Sequence, residues 1–307
     1  MSVQRVLILG SAGVIGGEIN KVFSAGKYTV LSLNHRELDV LNYGEMVNRF
    51  KEFTPDLIVN CVGKVGGIQK NLESPADLLL ANANLGLGIV NAALACNVRH
   101  LVQFAPACMY PSSLERDYSE EDLGSGPIEP SSSSYGYSKL FLTQAFQSIR
   151  KQYGLSWTTL IPSNVFGVND WRHGEDGHAV SMISRRLLQS NADSIQIWGD
   201  GTATRDFISA EQLAIATKFI VDNDLFEKSQ VNVSSGQILS IRDLTEKLRA
   251  YTGFRGGIIF EKSKPSGAKR KSLNSDWLRS RGWKPTKTID QSLEEYVEQF
   301  KDNLQQR

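Results

Sequence analysis

Near its start the chain turns apolar over Arg5-Val6-Leu7-Ile8-Leu9, stops at Gly10, and resumes beyond Gly13 with apolar residues at helical spacing. The same alternation recurs. Short apolar runs at 28–33, 57–61, 101–105 and 157–161 lack the in-out alternation of a half-exposed strand and predict buried parallel strands. Helical stretches separate them at 16–24, at 42–53 with Asn42 as cap, at 74–96 opened by Ser74-Pro75, and at 134–153. Strands alternating with helices imply right-handed crossovers, a sheet covered on both faces, and ligands at the carboxyl ends of the strands. From Gly167 the rhythm breaks into a polar stretch, then shorter elements: helices at 179–189, 210–222 and 241–251, and strands at 195–198 and 207–208. The pattern therefore predicts an α/β chain. Residues 1–165 form a Rossmann-type doubly wound parallel sheet, and 166–307 mainly a smaller C-terminal α/β lobe, with some segments returning to the first domain.

Charge changes this picture little. Lys and Arg number 34 against 33 Asp and Glu, so no global field favours nucleic acid or a membrane surface, and neither partner is expected. No stretch approaches 18 apolar residues and no leader pattern precedes the first strand, which predicts a cytoplasmic protein. Cys61, Cys96 and Cys108 are too scattered for a disulfide framework or a metal site, and no metal is expected.

The glycines carry the first chemistry. Gly10 permits a tight turn, Gly13 lets backbone approach a pyrophosphate, and Gly16 lets the helix pack close. Val14 and Ile15 then lie in the helical first turn, where unpaired N–H groups favour an anion. At the end of the second strand, Leu33-Asn34-His35-Arg36 offers no acid to a ribose hydroxyl, whereas Arg36 suits a 2′-phosphate, so NADP(H) is the expected cofactor. Asp39 is placed to accept from the adenine amino group. Tyr135 and Lys139 are four residues apart at a helix start and share a face. There an ammonium lowers the phenol's pKa, and the phenol exchanges a proton with a carbonyl as hydride moves.

With these motifs in view, the chain resembles the extended short-chain dehydrogenase/reductase superfamily and, within it, the GDP-L-fucose synthase family. The resemblance is carried by Lys64-Val65-Gly66-Gly67-Ile68, Cys108-Met109-Tyr110-Pro111, Tyr135 with Lys139, Pro162-Ser163-Asn164-Val165-Phe166-Gly167, Gly177-His178, Arg185-Arg186, Trp198-Gly199-Asp200-Gly201-Thr202, Arg205-Asp206-Phe207 and Lys264-Pro265-Ser266-Gly267. It implies epimerisation at carbons 3 and 5 of a GDP-4-keto-6-deoxyhexose and reduction at carbon 4 with NADPH. Cys108 would then be the base and His178 the acid; read alone, Cys108 is an ordinary buried thiol and His178 a loop histidine. Arg186, Trp198, Arg205 and Lys264 would hold the GDP end, although Lys264 also reads as part of a solvated basic stretch with Lys262, Lys269, Arg270 and Lys271. Pro162, Asn164, Val165 and His178 would line the cofactor, Asn164 also the sugar, and Asn82 would brace the active-site loop. The resemblance further implies a homodimer through the helices at 76–96 and 134–153.

Two residues depart from the family pattern. Pro106 stands where a Ser or Thr hydroxyl usually binds the substrate's carbonyl oxygen, and proline supplies neither hydroxyl nor N–H. Ala12 replaces the family's arginine in the glycine turn, so the NADP preference rests on Arg36. Open alternatives are a 4-ketoreductase or an epimerase alone, a related GDP-heptose or 3-deoxy sugar, and a non-enzymatic NADP-binding protein.

Overall fold

The computed structural model describes residues 3–170, 177–190, 192–264 and 268–305. In order the chain forms β1 (Arg5–Leu9), α1 (Val14–Ser24), β2 (Thr29–Leu33), α2 (Tyr43–Phe53), β3 (Leu57–Asn60), α3 (Ile68–Glu73), α4 (Pro75–Ala95), β4 (His100–Phe104), α5 (Ser133–Tyr153), β5 (Ser156–Pro162) and β6 (Asn164–Phe166). There follow α6 (Ala179–Gln189), β7 (Ser194–Trp198), β8 (Thr204–Ser209), α7 (Ala210–Asp222), β9 (Gln230–Val233), β10 (Ile238–Ser240), α8 (Ile241–Thr252), β11 (Gly257–Glu261), β12 (Arg270–Lys271), α9 (Asp276–Ser280) and α10 (Ile289–Gln305).

Six strands pair in parallel in the order β2-β1-β3-β4-β5-β9. Their continuous apolar character follows from burial on both faces. Val6, Ile8 and Val59 pack with Ile19 and Phe23 of α1 and Leu213 of α7. Leu7, Leu9 and Ile58 point the other way, onto Met46, Ile89 and Leu142 of α2, α4 and α5. Burying such a side chain fully is worth about 1.5–3 kcal/mol.

β9 escapes a reading of the apolar pattern because half of it is polar. Asn232 is fully buried, accepting from the Tyr110 hydroxyl at 2.6 Å and donating to the Tyr118 carbonyl at 2.8 Å, so this polar position pins the loop beyond β4 to the sheet. α7 and β9 thus bring residues from the second half of the chain back to the first sheet. The remaining strands assemble around β8, which pairs with β6, β10 and β12, while β7 pairs with β11. Phe166, Ile183, Phe207, Leu248, Leu293 and Phe300 make a separate core there.

One expectation needs correction. α4, with 21 residues and mean hydropathy 1.6 over an 18-residue window, is long and apolar enough to cross a bilayer. Asp77, Asn82, Asn84 and Asn91 break up its apolar residues, which hides the stretch from a reading of apolar runs. Here α4 lies against α2 and α5 with Leu78, Ile89 and Val90 buried.

Candidate active site

At the carboxyl end of β1 the chain has a neighbour on each side, β2 and β3, and connections leave in opposite directions; such a switch point opens a crevice. Gly10 turns there at φ +80°, its N–H donating to the Leu33 carbonyl at 2.8 Å. A Cβ on Gly10 would sit 3.0 Å from the Cys61 carbonyl carbon, and one on Gly16 only 2.1 Å from the Gly10 oxygen. Both positions therefore exclude side chains. Around Gly13 the nearest atom is the Gly10 oxygen at 3.4 Å, so the backbone entering α1 stays approachable. With Val14 and Ile15 in the first turn, this open cradle fits a dinucleotide's pyrophosphate. Arg36 is exposed beyond the β2 tip, its backbone N–H held by Asn34 Oδ1 at 2.9 Å. Asp39 commits one carboxylate oxygen to the Leu41 N–H at 2.9 Å.

Across the crevice α5 presents Tyr135 and Lys139 from its first two turns. The Lys139 ammonium is buried and reaches the Val62 carbonyl at 3.4 Å. Burial lowers its pKa to about 8, with Cys61 pulling the other way. Burial also pushes the Tyr135 phenol up, and the Cys108 sulfur adds to the shift. This corrects the expectation that Lys139 depresses the phenol: the ammonium is directed at Val62, and desolvation dominates. Cys108 sits in a short 3-10 turn, Ala107–Met109, entered through Pro106. Its carbonyl packs 3.3 Å from where a Cβ of Gly136 would be, holding this turn close to the start of α5. Burial raises the Cys108 thiol as well, opposed first by Lys271 and then by a hydrogen bond from Ser132.

Neighbouring loops are tied down. Asn82, buried in α4, accepts the Lys64 N–H at 2.9 Å and donates to the Lys64 and Leu78 carbonyls, each at 2.8 Å. This clamp holds the loop after β3 beside Lys139. Beyond β5, with Pro162 and Ser163 buried and Val165 half-buried, Asn164 Nδ2 donates to the Asp206 carbonyl at 2.8 Å. The Asp206 carboxyl, pushed up to about 6 by burial, bonds to Ser234 and Ser235.

The remaining candidates fall into two places. Arg186 and Trp198 line a cavity of about 410 Å³ together with Arg185 and Ser190, and the Arg186 guanidinium donates to the Gln196 carbonyl at 2.7 Å. Lys264 lies 5.7 Å above the Trp198 ring, in cation–π range, and so joins this outer group; Pro265, Ser266 and Gly267 lie outside the described residues. Arg205 lies apart. It stands on β8 in register with Lys271 of β12. His178 caps α6 with exposed side chain, its carbonyl accepting from Met182 and Ser181. Among the described residues no hydrogen bond ties it to Cys108 or Tyr135.

Lys271 and Ser132 were missed by motif reading. Lys271 looked like one of several solvated cations, and only the two-residue alternation of Arg270, Lys271 and Ser272 hints that its side chain leaves on the opposite face.

The NAD dependent epimerase/dehydratase family matches residues 6–234. The probable GDP-L-fucose synthase 1 of Oryza sativa subsp. japonica is 32% identical, over 98% of this chain and 93% of that one. The GDP-L-colitose synthase of Yersinia pseudotuberculosis is 26% identical, over 97% and 98%. Among solved structures, a GDP-6-OMe-4-keto-L-xylo-heptose reductase from C. jejuni superposes with TM-score 0.89 at 20% identity, covering 99% of both chains.

Proposed function

Since the chain belongs to the NAD dependent epimerase/dehydratase family and is a relative of the GDP-L-fucose synthases, we propose that it is an NADPH-dependent GDP-4-keto-6-deoxyhexose 3,5-epimerase/4-reductase. A GDP-sugar epimerase/reductase follows from that membership. The combination of epimerisation with reduction is supported by the closeness of the Cys108 turn to the start of α5 at Tyr135 and Gly136. A ketone reductase needs a proton donor and a cation, and a thiol beside the phenol has no part in it. An epimerase needs a base beside the ketone as well.

In this reading the bound dinucleotide supplies hydride. Gly10, Gly13 and Gly16 leave space for its pyrophosphate, with Val14 and Ile15 opening the helix toward it, while Arg36 faces its 2′-phosphate and Asp39 its adenine. Pro162, Asn164 and Val165 line the nicotinamide side. Cys108 takes the proton from the carbon beside the keto group, and His178 returns one from the opposite face. Tyr135 gives a proton to the carbonyl oxygen, and Lys139 holds ribose hydroxyls. Arg186, Trp198 and Lys264 take the nucleotide end, with Arg205 nearer the diphosphate. Pro106 supplies no hydroxyl to the carbonyl oxygen, and Ser163, buried next to the Asn164 loop, is the candidate substitute that Pro106→Ser tests. Exposed Leu80, Tyr137 and Phe141 on α4 and α5 suit a homodimer.

Pro106 favours a second reading, an epimerase with weak reduction or an enzyme of a related GDP-sugar. A missing donor to a developing oxyanion costs about 2.7–4 kcal/mol of barrier in other enzymes. The discriminating experiment is Cys108→Ser: deuterium exchange at carbons 3 and 5 disappears while NADPH binding persists. Full exchange in that variant would remove Cys108 from the mechanism.

A further inference from the structure

The turn that carries Cys108 ends on a tyrosine held from across the sheet. Tyr110 closes the Ala107–Met109 turn, its N–H donating to the Ala107 carbonyl at 3.3 Å, and its side chain is buried. The hydroxyl donates at 2.6 Å to Oδ1 of Asn232, which stands on β9 in register with Ile161, one residue before Pro162. That amide cannot turn over. Its Nδ2 donates to the Tyr118 carbonyl at 2.8 Å and the Asn274 carbonyl at 3.0 Å, and a flipped amide would set an oxygen against both. Its backbone is fixed too, the N–H donating to Glu120 Oε1 at 2.9 Å and the carbonyl accepting from Ser275 Oγ at 3.2 Å. One wholly buried residue thus joins β9, the loop beyond β4 and the segment after β12, and offers Tyr110 a single fixed acceptor. At the other end of the turn Pro106 has a locked φ, and its carbonyl accepts from the Met109 N–H at 3.1 Å. Cys108 therefore sits in a turn pinned at both ends.

From this geometry we propose that Tyr110 and Asn232 are positioning residues for epimerisation: their hydrogen bond sets the placement of Cys108 against the start of α5, where Tyr135 stands. The inference rests on the reading of Cys108 as the base. Both side chains are buried, so they act through the turn and not on the sugar. Packing alone would be met by phenylalanine at position 110, since a buried hydroxyl costs free energy unless it is bonded.

The test compares proton exchange with hydride transfer in the full-length protein. Tyr110→Phe removes one oxygen and keeps the ring beside that of Tyr118, 5.1 Å away. Deuterium exchange at carbons 3 and 5 of GDP-4-keto-6-deoxymannose should slow roughly tenfold to a hundredfold at saturation with KM unchanged, because a displaced base loses alignment rather than substrate affinity. Oxidation of GDP-L-fucose by NADP, which calls on Tyr135 and Lys139 but not on Cys108, should keep its rate, and NADPH affinity should hold. Asn232→Leu should slow exchange at least as much, and adding Tyr110→Phe to it should have no further effect. Where Asn232→Leu fails to fold, Tyr110→Phe decides by itself. Unchanged exchange in Tyr110→Phe overturns the inference, as does an equal loss of exchange and of GDP-L-fucose oxidation, which would make the bond general scaffolding. The two readings fail separately. Exchange that survives Cys108→Ser removes Cys108 as the base, whereas exchange lost there but kept in Tyr110→Phe leaves the base in place and removes only the anchor.

Discussion

In the function proposed above, the glycine turn and the wall opposite it face one anionic ligand with different materials. At the turn the contacts are backbone, and what matters is the absence of side chains: a single methyl on Gly16 would meet the Gly10 oxygen at 2.1 Å. The opposite wall is built of side chains, Cys108, Lys271 and Arg205, delivered by a 3-10 turn and by strands β12 and β8. A backbone site is set by local sequence, whereas a side-chain site depends on pairings between residues far apart. Substitutions should therefore act differently in the two regions, by intrusion at the turn and by loss at the wall.

The largest effect should come where the wall already lacks a group. Pro106→Ser restores a donor, and the reduction rate, followed by NADPH absorbance, should rise by up to roughly 10²–10³, the usual worth of one oxyanion contact. No change would mean that Ser163 or water already fills the role. Next comes intrusion at the turn. Gly16→Ala should weaken NADPH binding roughly tenfold to a hundredfold, the about 1–3 kcal/mol of forcing an extra group into a packed site, as read by fluorescence titration. Normal binding would show that the turn tolerates side chains and would erase the contrast.

Lys139 links the two regions and sharpens the comparison through pH. With its pKa near 8 it is charged below that value and neutral above, so kcat/KM for reduction should fall about tenfold per pH unit beyond it. Lys139→Arg should flatten the decline. Because the folded value lies below the ordinary 10.5, the unfolded chain binds that proton more tightly, and this group's contribution to stability rises with pH between about 8 and 10.5. The smallest effect belongs to the outer cavity. Lys264→Ala removes an exposed cation–π contact worth about 0.5–1 kcal/mol and should raise KM roughly twofold to fivefold with kcat unchanged.

The same contrast explains what was legible in the sequence. β1, the glycines and α1 are encoded within a few residues of one another, and helices α6 and α7 were read to the residue. The brace at Asn82 was read through the family resemblance, and the structure supplies the Lys64 backbone as its partner. β9, α10 and Lys271 were not legible. β9 carries Asn232 to bond with Tyr110 and Tyr118, more than a hundred residues away in sequence, and Lys271 turns inward because Asp117 draws both of its neighbours outward. The lowered phenol expected from the Tyr135 and Lys139 spacing also failed, since spacing fixes a shared face and burial sets the balance of charge.

The account stands most directly on one measurement. The purified protein is mixed with GDP-4-keto-6-deoxymannose in heavy water, without and then with NADPH, while NMR follows deuterium at carbons 3 and 5 and absorbance follows NADPH. Deuterium entering both carbons before NADPH is added, followed by NADPH consumption, is the predicted result. NADPH consumption with no deuterium at either carbon would contradict the account, leaving a ketoreductase in which the thiol beside the phenol takes no part.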